Sequence, residues 1–170
     1  MRSLAIASLL VLGACSEGGG EKKASEADKT KLELATGQWQ AASEVTAMRK
    51  QDKGAPAMKA DKGTKMEVKA CVAQGEGKKP PAALLAGVEN ATCTYQNIYM
   101  SRGKINASMV CRRPGLDGQL LVSTNGTYTD KSFDLTSTVN TLLAGEGDIS
   151  FDSKVTGRHA GTCTSGAAGK

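Results

Sequence analysis

Five cysteines carry most of the recognisable chemistry of this 170-residue chain: Cys15, Cys71, Cys93, Cys111 and Cys163. Cys15 directly follows an apolar run, and the other four are spread through the rest of the sequence. If that apolar run acts as an export signal, the four remaining thiols read as two disulfides, with three pairings open. Zinc would need ligand pairs roughly two to four residues apart, and no two of these cysteines are that close, so no metal site is nominated. The stretch Cys93 to Cys111 selects a pairing. It reads as a β-hairpin, with Ile105, Ala107, Met109 and Cys111 alternating against Asn106, Ser108 and Val110. A three-residue Ser101-Arg102-Gly103 turn, with Gly103 in a left-handed bulge position, sets Met100 opposite Lys104 and Cys93 opposite Cys111. A two-residue Arg102-Gly103 turn would slip the register and put the sulfurs on opposite faces. Cys93–Cys111 is therefore expected, and Cys71–Cys163 follows by elimination.

Nucleophilic catalysis finds little to work with. His159 is the single histidine, and it sits beside Arg158 near the end of the last expected strand. No nucleophile elbow, zincin helix or phosphate loop accompanies it, so a strand-end histidine is the plainer reading. Asp130, Asp134, Asp148 and Asp152 border turns or polar faces, where turn chemistry explains them. An enzyme is not expected, although a hydrolase built on His159 stands as a third class.

Binding chemistry is more visible. Lys50, Lys53, Lys59, Lys62 and Lys65 gather around a hydrophilic stretch, residues 49–63, diluted by Asp52 and Asp61. They suit an anionic envelope polymer or headgroup, with a solvated loop as the alternative. Nucleic acid is disfavoured by the few aromatics and by export. Met48, Met58, Met66, Met100 and Met109 raise a thioether copper site, but adaptable packing is the simpler use of methionine. No cofactor is indicated. Asn90, Asn106 and Asn125 match glycosylation acceptors by chance, and Asn125-Gly126 reads as turn residues.

The elements that must hold these groups are mostly strands. Trp39, Ala41, Val45 and Ala47 alternate in a first strand to about Met48. Met66, Val68, Ala70 and Val72 alternate in a second, which puts Cys71 on the polar face. Pro80 to Gly87 reads as a short helix, with proline early and glycine to stop it. After the hairpin come strands over 119–128, 132–140 and from Ile149 to about Thr156. The fold class is mainly β: an antiparallel meander of about seven strands in a small barrel or sandwich, with one short helix. Six aromatics and a net charge of +5 imply a modest aliphatic core that disulfides would reinforce.

Upstream, Met1-Arg2-Ser3 and the apolar Leu4 to Leu12 form a signal-like segment too short to remain as a spanning helix. It ends in Leu12-Gly13-Ala14-Cys15, which resembles the lipobox of bacterial lipoproteins. That resemblance implies a signal peptide over 1–14, cleavage before Cys15, a diacylglycerol thioether on Cys15 and acylation of the new amine. Ser16, where an Asp would favour the inner membrane, implies the outer membrane facing the periplasm. A lipidated, flexible tether over 15–36, a β domain over 37–163 and a disordered tail over 164–170 complete the expected organisation.

The domain also resembles the DUF3617 family of small periplasmic proteins and lipoproteins. The marks are Gly37-Gln38-Trp39, Cys71-Val72, Cys93 and Cys111, Gly126-Thr127-Tyr128 leading into Ser132-Phe133, and Gly157-Arg158 followed by Gly161-Thr162-Cys163. Ala73-Gln74-Gly75-Glu76 departs from the Thr-Pro-Glu-like helix start frequent in the family. The resemblance brings no activity and no catalytic residues. The expected role is an outer-membrane-anchored binding or structural module of the cell envelope, its partner an anionic polymer or another envelope protein. The alternative is inhibition of a cell-wall hydrolase such as lysozyme, against which the basic charge counts.

Overall fold

The computed structural model describes residues 32–163. Within them, period-two alternation of small apolar and polar residues makes seven strands: β1 (Gly37–Lys50), β2 (Lys65–Val72), β3 (Thr92–Ser101), β4 (Lys104–Arg112), β5 (Gly118–Tyr128), β6 (Ser132–Leu143) and β7 (Ile149–Gly161). A one-turn helix, α1 (Ala82–Ala86), separates β2 from β3. Every pairing is antiparallel, in the order β2-β1-β7-β6-β5-β4-β3. The sheet is open: its edge strands β2 and β3 run in the same direction and do not pair with each other. The expected barrel or sandwich is therefore a curled half-barrel, with two strand edges facing across a seam.

α1 fills the hollow of the curl. Leu84 and Leu85 are fully buried, and the helix packs against β1 to β5 and β7. Gly87 ends it in the left-handed region at φ 66°, as glycine readily does. Two buried serines on the sheet receive its last carbonyls: Ser43 Oγ donates to Gly87 at 2.6 Å and Ser137 Oγ to Ala86 at 3.4 Å. Trp39 stacks on Phe133 at 5.8 Å, and the Phe133 ring lies where a side chain on Gly157 would be. Side chains and helix thus occupy the interior. The tether expected over 15–36 already packs from Leu32 onward: Leu34 is buried, and Trp39 Nε1 donates to the Ala35 carbonyl at 2.9 Å.

Several local expectations are corrected. The β3–β4 turn is the two-residue one, with Arg102 at φ 50° and Gly103 at φ 73° and Ser101 opposite Lys104. A bulge at Gln96, between Tyr95 and Asn97, restores the lost residue, so Cys93 still faces Cys111. A second irregularity on β1, between Val45 and Ala47, sends Ala47 to the outer face opposite Asp152 and brings Met48 opposite Phe151. Asn125-Gly126 lies inside β5, and the turn falls at 129–132, where Thr129 N–H donates to the Ser132 carbonyl. Residues 73–76, where the chain departs from the family's helix start, instead keep the turn that the sequence suggests, with Gly75 at φ 85°.

Both expected disulfides are present. Cys93–Cys111 joins β3 to β4, and Cys71–Cys163 joins residues 92 apart. β1 lies between β2 and β7, and Gln38 pairs with both Cys71 and Gly161. A Cα separation of 5.6 Å is less than the ~9–10 Å across two strand spacings. The chain past Gly161 therefore folds back over β1 to reach Cys71, on the outer face, where the alternation of β2 placed it.

Candidate binding cleft

The strand directions give the domain two poles. The first described residues enter at one: Tyr128 Oη donates to the Leu32 carbonyl at 2.8 Å, and Ala35 N–H donates to the Asp130 carbonyl at 2.7 Å. The β3–β4 and β5–β6 turns share that pole. The β1–β2 loop, the β4–β5 turn and the β6–β7 turn form the other. β1 runs its 14 residues from the first pole to the second, about 45 Å of extended chain.

A cleft of about 690 Å³ opens at this second pole, between the β1–β2 loop, the first residues of β2 and the β4–β5 turn. Lys59, Lys62, Lys65 and Arg113 line it, against the carboxylates of Asp61 and Glu89. Met58 and Met66, both buried, and Leu116 give it an apolar floor. Arg113 spends one nitrogen on Glu89 at 3.3 Å, and Lys65 stands 4.0 Å from Glu44. The Arg113–Glu89 pair is half-buried and the Lys65–Glu44 pair exposed, and four basic side chains against two carboxylates leave the cleft net positive. The loop that forms it is pinned by Asp52, whose carboxylate accepts N–H bonds from Gly54, Gly147 and Asp148 at 2.7–2.8 Å. Those donors, Asp148 foremost, hold its pKa below the usual carboxylate value.

A second groove of about 520 Å³ continues from the cleft along the seam. Residues 67–71 of β2 form one wall, 90–93 the other, and Ala82 and Ala83 of α1 show between them. At the far end, Tyr95 Oη donates to the Pro80 carbonyl at 2.8 Å, and burial raises its pKa.

The lysine cluster is thus divided. Lys59, Lys62 and Lys65 come together at the cleft, whereas Lys50 and Lys53 lie outside its lining. Arg113 and Glu89 join them, although Arg112-Arg113-Pro114-Gly115 signalled only a chain break in the sequence. Of the methionines, Met58 and Met66 form the cleft floor, Met100 and Met109 are buried in the core, and Met48 is half-buried against it. His159, near the end of β7, lies edge-on to Trp39 at 5.7 Å, with Nε2 3.1 Å from the Thr36 carbonyl. Asp148 accepts from Thr141 Oγ1 and Leu143 N–H, Asp152 pairs with Arg49, and Asp134 lies 3.9 Å from Arg158. Among the described residues no cluster of three His, Cys, Asp or Glu could hold a metal ion. Cys15 lies outside the described residues.

The order of strands, the two bridges and the glycines that admit Phe133 and His159 define a disulfide-stapled antiparallel half-barrel. The family model described as "Protein of unknown function (DUF3617)" matches residues 34–163, and the chain belongs to that family. No curated protein and no solved structure matches it.

Proposed function

We propose that this chain is a lipoprotein of the cell envelope, anchored through Cys15 in the outer membrane and facing the periplasm, whose β domain is a non-enzymatic binding module. The observation that carries the reading is the placement of the basic cleft at the pole opposite the entry of residues 32–35. A domain attached through its N-terminal segment turns that cleft away from its own bilayer, toward polymers and proteins of the periplasmic space. The lysines then act on an anionic envelope partner instead of the anchoring membrane. Inhibition of a basic hydrolase such as lysozyme gains nothing from a cleft of the same sign.

Metabolic labelling with a palmitate analogue tests the anchor. Wild type takes the label into the outer-membrane fraction, and Cys15→Ala takes none. Equal labelling of the two chains overturns the anchor.

A further inference from the structure

The cleft and the seam groove are one continuous feature. Lys65 and Met66 line the cleft, and the next residues of β2, Glu67 and Val68, line the groove; Glu89 and Asn90 stand in the same relation on the other wall. β2 pairs only with β1, and β3 only with β4, among the described residues. Among the described residues no turn, loop or cap bond involves the backbone of Lys65–Val72, and one side chain reaches it, Gln38 Nε2 donating to the Ala70 carbonyl at 3.2 Å. A strand edge in this state offers alternate N–H and C=O groups to any extended chain beside it.

We propose that the seam binds an extended peptide segment of another envelope component, which pairs with the free edge of β2. Its acidic end lies among Lys59, Lys62, Lys65 and Arg113, and small uncharged residues follow along the groove. The proposal deepens the binding-module reading and rests on it.

Charge complementarity fixes the acidic end. Lys59 and Lys62 make no ion pair among the described residues, and Glu89 takes only one nitrogen of Arg113. Asp61 and Glu89 at the rim suit a segment carrying a few carboxylates more than a dense polyanion. The rest of the groove fixes the small uncharged residues, because Val68, Ala70, Ala82, Val88 and Ala91 leave a shallow apolar floor and the charges of Glu67 and Lys69 beside it offset each other. β2 has eight residues, about 26 Å of strand, so a segment of roughly six to eight residues matches it. A sugar chain is disfavoured, since no aromatic side chain lines cleft or groove to stack on a ring face. A bilayer surface is disfavoured because the exposed large apolar residues, Tyr99, Leu121 and Leu142, lie elsewhere.

The test uses the chain without residues 1–15, which keeps every described residue, and fluorescence anisotropy of labelled probes. The first probe is a peptide of four alanines preceded by two glutamates, and the second is the same peptide N-methylated at alternate residues. Vesicles containing anionic lipid and a sulfated polysaccharide complete the set. The first peptide binds, weakens at least tenfold when salt rises from 50 to 500 mM, and weakens at least tenfold on N-methylation. Lys62→Glu with Arg113→Glu weakens it similarly, while the circular dichroism of that variant matches wild type. Equal binding of the methylated peptide overturns strand pairing, as does a stable dimer in sedimentation that the peptide does not dissociate. Preference for vesicles or polysaccharide overturns the peptide assignment, and absence of peptide binding at 50 mM salt overturns the site. None of these outcomes touches the anchor, which palmitate labelling decides separately.

Discussion

Asp52 shows how a single side chain shapes the cleft from a distance. Its carboxylate ties the β1–β2 loop to the β6–β7 turn through the N–H groups of Gly147 and Asp148, and braces its own loop through that of Gly54. Because these donors lower its pKa in the fold below the ordinary 3.8, the stabilisation is complete above that value and is lost as pH falls through the folded one. Asp52→Asn should therefore lower stability at neutral pH, and the two chains should converge in acid. Urea melts at pH 7 and pH 3 check this; a difference that persists unchanged at pH 3 would assign the effect to something other than the charge. Lys59, Lys62 and Lys65 were legible in the sequence because a run of like charges in a polar loop is visible without the fold. Arg113 was not, since its place beside them depends on the β4–β5 turn closing over the β1–β2 loop, a contact between distant parts of the chain. Within a Pro-Gly breaker it carried no local mark of a binding residue.

At the scale of the element, α1 does more than its five residues suggest. It replaces the side-chain layer of a closed barrel, and its Leu84 and Leu85 are completely buried. Leu84→Ala should lower stability by about 2–5 kcal/mol through lost burial and the cavity left behind, as measured by urea denaturation. Gly87→Ala adds strain at φ 66° and sets a methyl group 2.8 Å from Val155 Cγ2 and 3.1 Å from Ser43 Cβ; a further about 1–3 kcal/mol is expected from such overpacking. A stability within 0.5 kcal/mol of wild type for either variant, on the order of a neutral surface change, would show that the helix is not the filler of the hollow. The proline and glycine that bracket this helix made it readable. The β3–β4 hairpin was readable only in part. Alternation gave its strands, yet a three-residue turn and a two-residue turn with a bulge at Gln96 produce the same Cys93–Cys111 pairing. Nothing in the sequence of β3 marks the bulge, because Gln96 is a polar residue on an exposed edge.

At the scale of the whole molecule, the two disulfides do different work. Cys93–Cys111 closes a short loop within one hairpin, whereas Cys71–Cys163 holds the chain end back across β1 onto β2. In the chain-entropy model, loops of 18 and 92 residues contribute about 3 and about 4–5 kcal/mol respectively. Replacing Cys71 and Cys163 together by Ala should therefore reduce stability more than replacing Cys93 and Cys111. Calorimetry of the two double variants checks the order, and the reverse order would mean that packing around the hairpin bridge outweighs chain entropy. The meander itself was legible, since regular turns and alternating strands leave few other solutions. Its failure to close was not, because closure depends on whether β2 and β3 meet across α1, and neither strand's sequence announces a free edge.

That free edge is what the account depends on most, and amide hydrogen exchange reads it directly. In the free chain, the outward-facing amides of Lys65–Val72 should exchange quickly, while those of β6, paired on both sides, exchange slowly. Saturating acidic alanine-rich peptide should slow the β2 amides at least tenfold and leave β6 unchanged. Slow exchange along both edges of β2 in the free chain, or no change when the peptide is added, would contradict an open seam that accepts a strand.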